Sequence, residues 1–175
     1  MISKIHVFAR KMLIVFALAL GATPAMADEY EFSRPDAKAK FAISLPEGWR
    51  VTSSLPSEIY FSTSTNPDLV AVAGVMPGRT PLADQLVVKH IDLSNRVVTR
   101  DTMVQQAGLP ARRIDGTAVS EGDQLSFNSI AIKPAADAPV IQLEVFGPRN
   151  LWQRPDIKRL VEDMLGSFKP VRASP

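Results

Sequence analysis

The 175-residue sequence holds two histidines, His6 and His90, and no cysteine, which narrows the available chemistry at once. Without a thiolate there is no cysteine nucleophile and no thiolate metal site. His90, with Asp84 or Asp92 close in sequence, could serve as the base of a serine triad, but a triad also needs a presented serine and an orienting acid. No Gly-x-Ser-x-Gly elbow is present, and His90 beside Ile91 reads as a surface or core-edge residue of a helix. A hydrolase relying on His90 is therefore the weakest functional reading. His90 and Asp92, two positions apart, do not share a helix face, and zinc asks for three or four ligands. The loop acids of Asn66-Pro67-Asp68 and Glu121-Gly122-Asp123 lack calcium-loop spacing and suit tight turns. Glu162-Asp163 falls on the polar side of a helical stripe, where solvent is expected to reach it. No glycine-rich phosphate loop precedes a helix. The expectation is a noncatalytic chain with no metal and no cofactor.

Two clusters point to contact rather than catalysis. Arg149-Asn150-Leu151-Trp152-Gln153-Arg154 sets two arginines around a tryptophan in a loop leading to a helix, and Arg and Trp are enriched at binding hot spots. The competing and preferred reading has Trp152 packing over the sheet end, since large aromatics are mostly buried. Arg112 and Arg113 are adjacent in a strand pattern and should point to opposite faces.

The first 27 residues read as an export signal. Lys4, Arg10 and Lys11 precede the apolar run Met12–Leu20, Thr23 and Pro24 break it, and Ala25-Met26-Ala27 supplies a small-x-small site before Asp28. Nine apolar residues are too few for a spanning helix of roughly 20, so no stable membrane span is expected after cleavage. Removing 27 of 175 residues leaves 148, enough for one domain with a real core. Of 20 basic residues, 17 then face 18 acids. The basic overall pI of about 9.0 thus belongs largely to the leader, and a near-neutral domain lacks the basic footprint of a nucleic-acid binder. Without cysteine, neither disulfides nor lipidation at the cleavage point is possible. The expected location is the periplasm or the medium.

The elements follow from periodicity. Residues 28–39 form an acidic lead-in that could end in an edge strand. Phe41, Ile43 and Leu45 alternate as a strand facing a core, closed by Pro46-Glu47-Gly48. Trp49 and Val51 resume an extended run, and Ile59–Ser62 is a short strand. Leu69–Met76 is apolar on both faces, so it should lie centrally, with Gly74 admitting a helix. Thr80-Pro81 caps a predicted helix running to Ser94 or Asn95. Val97–Gln106, Ala111–Ser120, Leu125–Lys133 and Ile141–Val145 read as an antiparallel meander. The pattern of Leu125–Lys133 implies either a bulge or cover on both sides, whereas Gln142 and Glu144 mark Ile141–Val145 as half-buried. Ile157, Leu160, Val161, Met164, Leu165 and Phe168 form the clearest helical stripe. The domain spans residues 40–170, with 171–175 as a tail.

Phe41-Ala42-Ile43-Ser44-Leu45-Pro46-Glu47-Gly48-Trp49 resembles the first strand and turn of PsbP-like domains. Ala107-Gly108-Leu109-Pro110-Ala111 resembles a turn midway through such domains, and Trp152 with the helix ending in Ser167-Phe168 resembles their C-terminal closure. That superfamily includes the accessory protein P of the oxygen-evolving photosystem, a Ran-binding import factor and exported bacterial proteins of obscure role. The resemblance implies an α+β fold, an antiparallel β-sheet sandwiched between helices. It also implies a binding or assembly module rather than an enzyme, and it carries over no ligand residue. The resulting expectation is an exported accessory protein contacting an unidentified envelope protein. The alternative is a small-molecule or lipid-binding protein with an apolar pocket between sheet and helix. Oligomeric state is not legible in the sequence.

Overall fold

The computed structural model describes residues 26–34, 39–76, 82 and 94–171. The expected leader up to Ala25, the stretch of the predicted helix from Thr80 to Leu93 other than Leu82, with His90, Asp84 and Asp92, and the tail beyond Val171 lie outside the described residues; the expected helix end at Ser94 and Asn95 is instead the start of a strand. Ten strands, a 3-10 turn and one α-helix follow in order: β1 (Met26–Arg34), β2 (Ala39–Pro46), β3 (Trp49–Leu55), β4 (Glu58–Thr63), β5 (Val70–Met76), β6 (Ser94–Gln106), β7 (Leu109–Ser120), β8 (Asp123–Ile132), β9 (Val140–Pro148), a turn at Leu151–Gln153, α1 (Pro155–Ser167) and β10 (Lys169–Pro170). β3 to β9 make one antiparallel sheet in the order β3-β4-β5-β9-β8-β7-β6. β1, β2 and β10 make a second, three-stranded sheet with β2 in the middle.

The meander β6–β9 arises from local turn chemistry. Ala107-Gly108 and Glu121-Gly122 both have positive φ at each residue, 50° and 76°, then 51° and 94°. That is the two-residue geometry whose twist matches the flanking strands, and it sets the pairs Gln106↔Leu109 and Ser120↔Asp123. β8 has no break in register against β7 or β9, and its residues from Ser126 are largely buried on both sides, so cover rather than a bulge explains its pattern. β5 lies between β4 and β9, central as its unbroken apolar run requires.

One face of the large sheet carries the main core. Ala71 and Ala73 of β5, Ile141, Leu143 and Val145 of β9, and Ile130 and Ile132 of β8 meet Phe41, Ile43 and Leu45 of β2 and the stripe Ile157, Val161, Met164, Leu165 and Phe168. Each fully buried valine, leucine, isoleucine, methionine or phenylalanine here contributes about 1.5–3 kcal/mol. Pro155 at the first helical position starts α1. The helix leaves into β10, where Lys169 and Pro170 pair with Ala42 and Phe41. The observed class is a mainly antiparallel β fold with one α-helix among the described residues. The sequence expected to supply a second helical layer lies outside the described residues.

Two local expectations change. Gly74 admits a turn rather than a helix: a Cβ there would stand 3.1 Å from the Ser57 carbonyl oxygen, which accepts the Val75 amide at 3.0 Å. β9 is not half-buried; Gln142 and Glu144 are as hidden as their apolar neighbours.

Candidate functional site

The least expected chemistry lies on the sheet face opposite α1. Glu144 has no exposed surface. It sits mid-strand in β9, between Val72 of β5 and Ser129 of β8. Its Oε1 accepts from Arg96 Nη2 at 3.0 Å, and the Arg96 guanidinium carbon stands 4.8 Å from the centre of the Phe127 ring, within cation–π range. Gly116 makes this stacking possible. A Cβ there would lie 2.3 Å from the Val97 carbonyl oxygen and 2.6 Å from Phe127 Cζ, so only glycine lets β6 and the ring close over that position.

Burial pushes the Glu144 carboxyl up to about 7, because removal from water outweighs the attraction of Arg96. Arg96 Nη1, Gln142 Oε1 and Glu144 Oε2 are buried without a hydrogen-bond partner among the described residues. In the same cross-strand row, beyond Val72, Tyr60 donates to Glu58 Oε2 at 3.0 Å. Burial and that carboxylate raise the Tyr60 phenol to about 12. A carboxyl titrating near neutrality has the right affinity for proton transfer. The hydroxyls named here are engaged in structural bonds, however: Ser129 Oγ donates to the Ile114 carbonyl at 3.3 Å and Tyr60 to Glu58.

Two hollows lie at opposite ends of the β7–β8 hairpin. The first, of about 450 Å³, is walled by the starts of β2 and β7, the β8–β9 loop and β10. The second, of about 600 Å³, lies against the β7–β8 turn and is lined by Asp68, Glu121, Asp123, Phe146 and Arg149 among others. Despite its acids, no group of three or more His, Asp or Glu among the described residues is placed to hold a metal.

The residues singled out in the sequence are dispersed. Arg149 borders the second hollow and is tied to Gln124, backbone to backbone at 3.0 Å and guanidinium to amide at 3.0 Å. Trp152 is half-buried against the main core. Its indole N–H donates to Asn128 Oδ1, and Gly147 leaves room for its ring, since a Cβ there would stand 3.2 Å from Trp152 Cζ3. Arg154 pairs with Asp156 at 2.6 Å. Arg112 makes a two-pronged pair with Asp101 at 2.8 and 2.6 Å and also reaches the Leu82 carbonyl at 3.5 Å. Arg113 points to the other face, where it grips Glu162 through two bonds of 2.6 Å and reaches Asp115 at 3.1 Å. Glu162 is thus anchored rather than merely solvated, and Arg113 holds its carboxyl below the ordinary range. The backbone of Ala27 and Asp28 lies at the start of β1, and Ala25 lies outside the described residues.

Exposed apolar side chains gather on the two edges of the large sheet: Val51 and Leu55 on β3, and Val97, Val98 and Met103 on β6. β6 is an edge of 13 residues. Two irregularities in its pairing fall between Ser94 and Arg100, leaving a regular outer run from Arg100 to Gln106.

No family model matches the chain, and no curated protein matches its sequence. Solved structures do. LpqN of Mycobacterium tuberculosis, described as involved in cell envelope biogenesis, has a TM-score of 0.57 at 12% identity, over 83% of this chain and 91% of that one. The PsbP protein of Synechocystis, CyanoP, gives 0.53 at 13% identity over 86% and 98%. The fold is PsbP-like. The Ran-binding protein Mog1p of Saccharomyces cerevisiae gives 0.51 at 9% identity over 81% and 95%. At these identities the likeness establishes the PsbP-like fold alone, and function rests on the site.

Proposed function

We propose that this chain is an exported, noncatalytic PsbP-like module that works in the periplasm as a binding or assembly accessory, through protein–protein contacts. The observation that carries this reading is the β6 edge: Val97, Val98 and Met103 stand exposed on a long strand with no neighbour on its outer side among the described residues. An open edge of this kind offers unpaired backbone groups to an added strand. The arginines of the interior are meanwhile committed to Asp101, Glu144 and Glu162. Among the described residues no helix is long and apolar enough to cross a membrane. The LpqN and Mog1p descriptions, envelope biogenesis and Ran binding, agree with an accessory role.

A photo-crosslinker at Met103 in envelope preparations should give a discrete adduct that Thr102→Pro removes, with none from Lys158 on α1. Equal capture from both positions would defeat the reading. N-terminal sequencing of the mature protein should begin at Asp28; an intact leader on a cytosolic product would remove the exported half of the proposal. The second reading, a small-molecule or lipid binder, draws support from the 450 Å³ hollow, which lies at the β2–β10 end rather than between sheet and helix.

A further inference from the structure

We propose that the hollow at the β2–β10 end binds a small amphipathic carboxylate, its apolar body against Leu109 and the prolines and its head group at the Lys40 ammonium. This rests on the second reading above and fixes its ligand class and its place. The volume of about 450 Å³ falls within the range of small-molecule sites. Its walls are apolar and small, built from Ala107, Leu109, Ala138 and Pro139 together with Pro134 and Pro170.

The charge at the rim is uneven. Two lysines border the hollow, but Lys169 is neutralised by Glu29 Oε1 at 2.7 Å. Lys40 is exposed, and its ammonium has no ion-pair partner among the described residues. An apolar cup whose lip carries one cation unpaired among the described residues complements an acid carrying an alkyl or aryl body, and a charge-assisted bond there adds to apolar burial.

The cup is preformed. Three prolines fix φ in its walls. The Val171 amide donates to the Lys40 carbonyl at 3.0 Å, which pins β10 beside β2. On the other side Gln106 Nε2 lies within 3.0 Å of the carbonyls of Leu165, Gly166 and Phe168. That clasp ties the Ala107-Gly108 turn to the end of α1. A site organised before binding loses little freedom when it is filled.

The test is a titration of the isotope-labelled mature chain with decanoate, and in parallel with decanol, followed by amide shifts. Decanoate should saturate, with the largest changes at Ala39, Lys40, Gly108, Ala138 and Val171. Lys40→Gln, an exposed change that leaves packing intact, should weaken decanoate by about fivefold or more and leave decanol unchanged. Ala138→Trp, checked for an unaltered fold by circular dichroism, should abolish both, and Gln106→Ala should weaken both. Decanol binding with the same affinity as decanoate would overturn recognition of the acid and leave a plain apolar contact. Saturable shifts at other residues would overturn this site while sparing small-molecule binding, and no saturable binding would overturn both.

Discussion

The two faces of the seven-stranded sheet are built on opposite principles. Toward α1 and β2, Ile141, Leu143 and Val145 of β9 belong to the main apolar core and are fully buried. On the reverse of the same strand, Gln142 and Glu144 are 3% and 0% exposed and carry atoms with no hydrogen-bond partner among the described residues. One face stabilises by removing hydrocarbon from water. The other spends part of that gain holding a carboxyl and a guanidinium out of water, an arrangement that is weak evidence for stability. The contrast teaches that burial and stabilisation are separable within one strand.

The largest effect should come from the apolar face. Leu143→Ala removes a fully buried side chain and should cost about 2–5 kcal/mol, read as a fall in the urea midpoint. If it cost no more than a surface change, the main core would not lie where the packing puts it.

Next comes the pH dependence of the polar face. The folded value of Glu144, about 7, lies above its ordinary value of 4.5. The native state therefore holds the proton more tightly through that window. Stability must fall as pH rises from about 4.5 to 7, by at most roughly 3 kcal/mol at 1.36 kcal/mol per unit. Denaturant melts between pH 5 and 8 should show this decline in the wild type and lose it in Glu144→Gln. Asp101, Asp156 and Glu162, all lowered by arginine partners, act in the opposite sense and only toward acid, below that range. An identical slope in both proteins would mean that Glu144 does not control it.

Gly116→Ala is a smaller perturbation of the same face. Its methyl would collide with backbone and ring, and overpacking of this kind costs about 1–3 kcal/mol. The near-ultraviolet signal of the aromatic cluster should change with it, whereas Gly122→Asn, in a turn at φ +94° with open space around it, should cost some backbone strain but leave that signal unchanged. Smallest is Glu162→Gln on the apolar side's rim. The Glu162 side chain is 55% exposed, so solvent screens the Arg113 pair and the loss should stay within about 1 kcal/mol, shrinking further in 1 M salt.

What could be read from the sequence was what local chemistry decides. The stripe Ile157 to Phe168 announces α1, and Gly108 and Gly122 announce the hairpins of the meander. The opposite facing of Arg112 and Arg113 follows from strand pairing alone. Their partners do not: Asp101 lies 11 residues before Arg112 and Glu162 lies 49 after Arg113. The misreading of Gln142 and Glu144 has the same origin. Period two marks two faces but not which of them is covered, and cover comes from the place of β9 between β5 and β8. Arg96 carried no signal at all, because its role depends on reaching from β6 past Gly116 to Phe127 on β8, across two hairpins. The one cue available was a glutamate framed by Ile141, Leu143, Val145 and Phe146, richer in hydrocarbon than a solvent-facing strand needs.

The short strand at Lys169 and Pro170 has a consequence for how the molecule comes into being. It lies beside β2, and Lys169 reaches across to Glu29 on β1, so the earliest described segment is stitched to the latest. A nascent chain can close the β6–β9 hairpins as they appear, but the small sheet must wait for residue 170. Until then Phe41, whose ring stands 5.3 Å from that of Phe168, has no cover on that side. During synthesis the front of the chain stays sticky and unfinished, and a chain passing through a narrow channel would be fastened only on the far side.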